Sequence, residues 1–243
     1  MKQVIVIPAR MGGGRLPGKP LIDILGKPMI YRVWKRCTQV FPENQIYIAT
    51  ENNEISEYCK KMSINCVMTK KSETAIDRIK HFSDVISADT YINVQGDEPI
   101  INLADIKTIS NYCLKYPERV VFGKVKANEV EFNDISKAKV VCDINGKLLY
   151  SSRAGIPVTR EGKFVSAERA IWIYGFPKSA LEGYFEARFK SKIDRIEDNE
   201  IIRFIEFGIP VYCVDVIGNS WAVDEPKDVD IVKKLILSDP SLN

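Results

Sequence analysis

The sequence predicts an α/β fold built on a mostly parallel sheet with helices on both faces. Short apolar runs rich in β-branched residues alternate with helix-period segments from Val4 to Val125. The first of these runs opens into a loop of glycines and basic residues, Arg10 to Pro20, where an open α/β sheet places its ligand loops. At 243 residues, 45% of them apolar, the chain can bury one large core.

In chain order, Val4 to Ile7 reads as a buried strand bounded by Pro8, and Pro28 to Val40 as a helix with Met29, Ile30, Val33 and Trp34 on its apolar face. Gln45 to Thr50 is a second strand. Glu51 to Met62 is a helix that Asn52 or Asn53 could cap, and Cys66 to Met68 a short strand. A helix from Glu73 to Phe82 precedes the strand Thr90 to Val94, which runs into Gln95-Gly96-Asp97-Glu98-Pro99. Leu103 to Leu114 is helical and Val120 to Val125 extended.

From Asn128 the rhythm changes. Ala138 to Asp143 and Lys147 to Ser152 flank Asn145-Gly146, the signature of a β-hairpin. Glu168 to Phe176 reads as strand, Ser179 to Phe185 as helix, and Asp194 to Phe207 as one charged helix. Val211 to Val216 is a last strand, and Val223-Asp224-Glu225-Pro226 leads into a final helix ending near Leu237. No linker or repeat interrupts the chain, so residues 1–243 read as a single domain with 128–176 as an extension.

Arg10, Arg15 and Lys19 stand among glycines, a composition that suits either a polyphosphate cradle or a solvated basic turn. Gly13 to Lys19 fits G-x-x-x-x-G-K, but Pro20 replaces the hydroxyl that would hold Mg²⁺, and Pro17 breaks any G-x-G-x-x-G. Neither a Walker-type nor a dinucleotide site is supported. Asp97 follows an apolar strand and Asp224 precedes a helix; each reads as a turn or cap residue or as a Mg²⁺ ligand, and with the basic loop they form a candidate metal–phosphate site. The single histidine, His81, has no partners for a catalytic triad and reads as a surface or packing residue.

The balance of 35 basic and 32 acidic residues, without a long run of one sign, argues against nucleic acid as the main partner. Cys37, Cys59, Cys66, Cys113, Cys142 and Cys213 show no metal-ligand spacing and read as reduced thiols. No segment has membrane-spanning length and no signal peptide is apparent, so the expected location is the cytoplasm.

Three motifs together resemble a known family, the cytidylyltransferases that activate sugar acids, and most closely the 3-deoxy-manno-octulosonate (KDO) cytidylyltransferases. They are Ile7-Pro8-Ala9-Arg10 through Arg15-Leu16-Pro17-Gly18-Lys19-Pro20-Leu21, Asn93-Val94-Gln95-Gly96-Asp97-Glu98-Pro99, and Val223-Asp224-Glu225-Pro226 with Asp228. Weaker matches at Lys139-Val140-Val141, Ser152-Arg153-Ala154, Ile173-Tyr174-Gly175 and Glu197 to Arg203 extend it over nearly the whole chain.

The resemblance implies a three-layer nucleotide-diphospho-sugar transferase-like fold, a mixed central sheet, and a protruding hairpin used for homodimerisation. It also implies Mg²⁺-dependent attack of an acceptor hydroxyl on the α-phosphorus of CTP, with pyrophosphate leaving. By position it assigns Arg10, Lys19 and Asp97 to catalysis, and Asp97 and Asp224 to the metal. The nucleotide would meet Pro8, Ala9, Arg10, Arg15, Lys19, Thr74, Arg78 and Gln95. The acidic acceptor would meet Gln95, Arg153, Tyr174 and Glu200, with the forked donors of Arg153 suited to a carboxylate.

The departures concern mainly the acceptor. The loop after Arg10 carries Gly12, Gly13 and Gly14 where the family has serines, which changes phosphate contacts, and S-G-T-[DE]-R appears as Thr74-Ala75-Ile76-Asp77-Arg78. In R-H-L-G-I-Y-G the histidine is Ala170, and in E-Q-L-R the glutamine is Ile201, two losses that argue for an acceptor other than KDO itself. The competing readings are a same-fold nucleotidyltransferase for another sugar or non-sugar acid, and a catalytically silent binding module.

Overall fold

The computed structural model describes residues 1–12, 15–186 and 191–242. Its elements run β1 (Gln3–Ala9), β2 (Asp23–Ile24), β3 (Lys27–Pro28), α1 (Met29–Thr38), β4 (Ile46–Thr50), α2 (Asn53–Lys61), β5 (Cys66–Met68), α3 (Ala75–Ser83), β6 (Thr90–Val94) and α4 (Leu103–Lys115). They continue with β7 (Val120–Ala127), α5 (Glu129–Asn133), β8 (Lys139–Cys142), β9 (Leu148–Ser152), β10 (Ala167–Pro177), α6 (Lys178–Glu186), α7 (Lys192–Glu197), α8 (Ile201–Glu206), β11 (Val211–Asp215) and α9 (Pro226–Ser238).

The main sheet has the order β11-β7-β10-β6-β1-β4-β5, and the β8–β9 hairpin joins it through β10. Along that path only β10 runs against the others, pairing antiparallel with both β6 and β7. The mixed, mostly parallel sheet expected from the alternation is therefore present. Successive residues of β1 divide between two cores: Val4 and Val6 pack with α3, α6 and α8, whereas Ile5 and Ile7 pack with α1, α2 and α4. This period of two, buried on both faces, builds the three layers. A smaller core joins α9 to β2 through Ile24, Met29, Val223, Val229 and Val232.

Three local expectations change. β1 continues through Pro8 to Ala9, because at that level it pairs only with β4, where Pro8 stands opposite Ala49. The charged helix expected over Asp194 to Phe207 is two helices, broken where Asp198 takes a left-handed conformation (φ 45°). Asn52 occupies the N-cap position of α2 without capping it; its side-chain oxygen accepts instead from Met11 N, 2.9 Å away. All six cysteines are free thiols.

Close packing also fixes where β10 can lie. A Cβ on Gly175 would come within 2.2 Å of Cys113 Sγ on α4 and 2.9 Å of Val121 Cγ1 on β7. Gly175→Ala is expected to destabilise the fold by about 1–3 kcal/mol through overpacking, read as a lower midpoint in urea unfolding.

Candidate active site

Chain order changes direction at β1: β4 lies on one side of it and β6 on the other. Beyond the carboxyl ends of β1 and β6, where such a switch leaves a crevice, opens a cavity of about 420 Å³. Pro8, Ala9 and Arg10 enter from β1, Gln95 and Asp97 from β6, Thr74 and Arg78 from α3, Glu200 from the start of α8, and Asp224 from the turn before α9. Arg15 and Lys19 complete the lining from the basic loop. Gly13 and Gly14 lie outside the described residues, so the G-x-x-x-x-G-K reading cannot be followed through its first glycine.

The basic loop is held at both ends. Met11 N donates to Asn52, and Gly18 N donates to Met11 O at 3.0 Å. Gly18 itself has φ 70°, a left-handed conformation that favours glycine, and starts the short turn carrying Lys19. The β6 loop is seated as tightly: a Cβ on Gly96 would meet Pro8 O at 2.5 Å, so glycine lets the ends of β1 and β6 close on each other.

Lys19 is the centre of the charge arrangement. Its Nζ donates to Asp97 Oδ2 at 2.6 Å, to Val223 O at 3.1 Å and to Asp224 Oδ1 at 3.2 Å. Arg15 stands 3.5 Å from the same oxygen of Asp224. Burial pulls the Lys19 pKa down, but Asp97 and Asp224 outweigh it and hold the ammonium above its ordinary value. The main chain on both sides is tied down: Val223 N donates to Asp97 O at 2.9 Å, and Asp228 accepts from both Asp224 N and Glu225 N. Arg10 is exposed and has no ion-pair partner among the described residues.

This donor set fits a hard divalent cation. Mg²⁺ takes one or two carboxylates and completes its shell with phosphate oxygens and water, and Asp97 and Asp224 already share one cation beside the cavity. No group of three or more His, Cys, Asp or Glu among the described residues forms a metal cage, so a cation here depends on oxygens from the ligand.

The far end of the cavity is acidic. Arg78 is committed to Glu51 at 3.0 Å and Thr69 at 2.8 Å. Thr74 caps α3 in a reciprocal capping box with Asp77, and Glu200 accepts from Ile76 N at 3.1 Å. Asp194 lines the same end and is paired with Arg203 at 2.8 Å, while Asp198 and Glu73 add further carboxylates. Asp194, Asp198 and Glu73 were not anticipated as site residues; the one available signal was Asp198-Asn199, a dipeptide prone to left-handed turns.

Two residues expected at the acceptor are not in the cavity lining. Tyr174 is buried, 2% exposed, between Phe122 and Phe176, away from the cavity lining. Arg153 is likewise absent from the lining: its guanidinium donates to the carbonyls of Ile135, Ser136, Glu197 and Asp198. Ala170 and Ile201, whose side chains entered the argument against KDO, are core residues. The loss of polarity there changes packing, and the cavity wall does not include it. His81 shares a 3.0 Å hydrogen bond with Ser72.

Burial pushes the Glu200 carboxyl up to about 7, with bonds from Thr74 and Ile76 opposing and the charges of Asp77 and Asp194 reinforcing the shift. A raised carboxyl pKa means that the fold favours the neutral acid. The resulting stability is complete below the ordinary value of 4.5 and is lost as pH rises through 7. Glu200→Gln, which stays neutral, should therefore gain melting temperature over the wild type as pH increases from 5 to 8. A constant difference across pH-resolved melts would contradict this.

The family profile described as Cytidylyltransferase matches residues 4–209. The 3-deoxy-manno-octulosonate cytidylyltransferase of Escherichia coli is 32% identical, with 100% of this chain and 99% of that protein covered. The 8-amino-3,8-dideoxy-manno-octulosonate cytidylyltransferase of Shewanella halifaxensis is 30% identical over 98% of this chain and all of that protein. The solved structure of CMP:2-keto-3-deoxy-manno-octonic acid synthetase complexed with CTP superposes with a TM-score of 0.92 at 32% identity, covering 98% of this chain and 100% of that one.

Proposed function

Since the chain belongs to the cytidylyltransferase family, we propose that it transfers CMP from CTP to the hydroxyl of a KDO-like sugar acid and releases pyrophosphate. The observation that carries this reading is the placement of Arg10, Arg15 and Lys19 opposite Asp97 and Asp224 at the carboxyl ends of β1 and β6. Phosphoryl chemistry needs little more from a protein than orientation and charge stabilisation, and this end of the cavity supplies both.

The three cations of the basic loop orient the triphosphate and spread the charge that grows on the departing pyrophosphate. Asp97 and Asp224 would hold Mg²⁺, which supplies charge neutralisation and alignment of the phosphate oxygens. Pro8 and Ala9 form the apolar floor, Thr74 and Arg78 frame the nucleotide, and Gln95 and Glu200 face the acceptor. Names of relatives point to KDO and to its 8-amino analogue. Free thiols suit a reducing cytoplasm.

Pyrophosphate release, assayed with CTP, Mg²⁺, and either KDO or 8-amino-KDO, tests the assignment. Turnover of one acceptor is expected; Asp97→Asn and Asp224→Asn should each lower it by at least about 100-fold while the protein remains folded. Stabilisation by another nucleoside triphosphate with Mg²⁺ but not by CTP would overturn the cytidine assignment.

Homodimerisation through the 128–176 extension is part of the same proposal. Ile144 is fully exposed and Leu149 is 55% exposed, both in the β8–β9 hairpin, and a partner copy would cover them. Light scattering should give a dimer mass that falls toward the monomer in Leu149→Asp.

A further inference from the structure

The three protons of an ammonium make three hydrogen bonds, and Lys19 has used all of them on Asp97, Asp224 and the carbonyl of Val223. It has none left for a phosphate. The main chain that carries the two carboxylates is tied down: Asp97 O accepts from Val223 N, and Asp224 N donates to Asp228. Lys19, by contrast, reaches them by a flexible four-carbon stem from a loop whose backbone is anchored at Met11 and Gly18. Exchange of its partners therefore needs side-chain rotation and no movement of the main chain.

We propose that Lys19 is the resident counter-ion of the Asp97–Asp224 pair and moves to the phosphates only when a divalent cation takes its place, so that cation and triphosphate bind as a coupled pair. The proposal rests on the assignment of Asp97 and Asp224 to the metal and adds the order of events. A divalent cation arriving alone must expel the ammonium and then stand beside it, together with Arg15 near Asp224 Oδ1. A triphosphate arriving alone draws Lys19 away and leaves Asp97 without its cation and Asp224 with only the exposed Arg15, 3.5 Å away. Arriving together, the metal satisfies the carboxylates and the phosphates satisfy Lys19. Each ligand raises the other's affinity by the same factor, as linkage requires.

Binding of Mn²⁺, followed by the paramagnetic resonance of the free ion, tests this with and without α,β-methylene-CTP, with the Mn²⁺ that the analogue chelates in the absence of protein measured separately and subtracted. For the wild type the nucleotide analogue should tighten Mn²⁺ binding by about 10-fold or more. In Lys19→Met and Lys19→Gln, Mn²⁺ alone should bind about 10-fold tighter than to the wild type, and the gain from the analogue should shrink. Both variants lose the counter-ion of a like-charged pair, so Mn²⁺ alone should also raise their melting temperatures more than it raises that of the wild type. Lys19 variants that bind Mn²⁺ alone no tighter than the wild type, and gain no extra thermal stability from it, overturn the exchange. Asp97→Asn separates the two claims. If it leaves Mn²⁺ binding unchanged in the presence of the analogue, the metal assignment itself fails; if it weakens binding while the Lys19 variants show no effect, only the exchange fails.

Discussion

Two carboxylates held beside one cavity repel each other unless a cation stands between them, and the Asp97–Asp224 pair is held there by backbone. The bond from Val223 N to Asp97 O joins residues far apart in the chain, and the core around Val223, Ile24 and α9 keeps that junction dry. Neither side chain can relieve the repulsion by moving its main chain. The basic loop is the answer to that constraint. Asn52, placed where a helix cap would be, bonds Met11 instead, and Gly18 turns the chain so that Lys19 reaches both acids. A missing cap costs on the order of 1 kcal/mol, a modest sacrifice for fixing the loop that neutralises the site.

The core of the fold was legible because it obeys one period. Strands buried on both faces read as continuous β-branched runs, and the crossover helices show their apolar stripes, so β1, β4, β5 and β6 were visible within a residue or two. The chain departs from pattern where one residue answers to a distant partner. Pro8 continues its strand because the missing N–H falls where β6 no longer pairs, a fact of register that composition does not carry. Asp198 breaks the charged segment into α7 and α8, and Glu200 then points to the N-terminus of α3. The sequence reads that segment as one charged helix; the partners of its carboxylates, Arg203 and Ile76 N, come from elements that periodicity alone does not bring together.

The nucleotide end of the site was legible for a different reason. Its residues lie in short contiguous motifs at strand ends, so that knowing the strands nearly fixes where their side chains meet. Pro8 and Ala9 end β1 and Arg10 follows it, Gln95 and Asp97 follow β6, and all line one cavity. The far end of the cavity is assembled from the N-terminus of α3 and the break between α7 and α8, where the left-handed Asp198 lies in the wall.

Arg153 shows how a residue type can be legible in the sequence while its partners in the fold are not. A forked guanidinium is suited to a carboxylate, and the sequence supplies that fork at a plausible position. Its partners in the fold are main-chain carbonyls, which every residue carries and no sequence pattern marks: Ile135 and Ser136 ahead of β8, Glu197 and Asp198 at the end of α7. Glu197 then accepts from Ser152 Oγ at 2.7 Å and Arg153 N at 2.9 Å, closing the hairpin onto the helix break. An arginine so engaged could serve a ligand carboxylate only by giving up bonds that define the Asp198 turn. The same turn places Asp198 in the cavity wall, so in this structure the hairpin acts on the site through the shape of the helix break, and the arginine contributes by holding that shape.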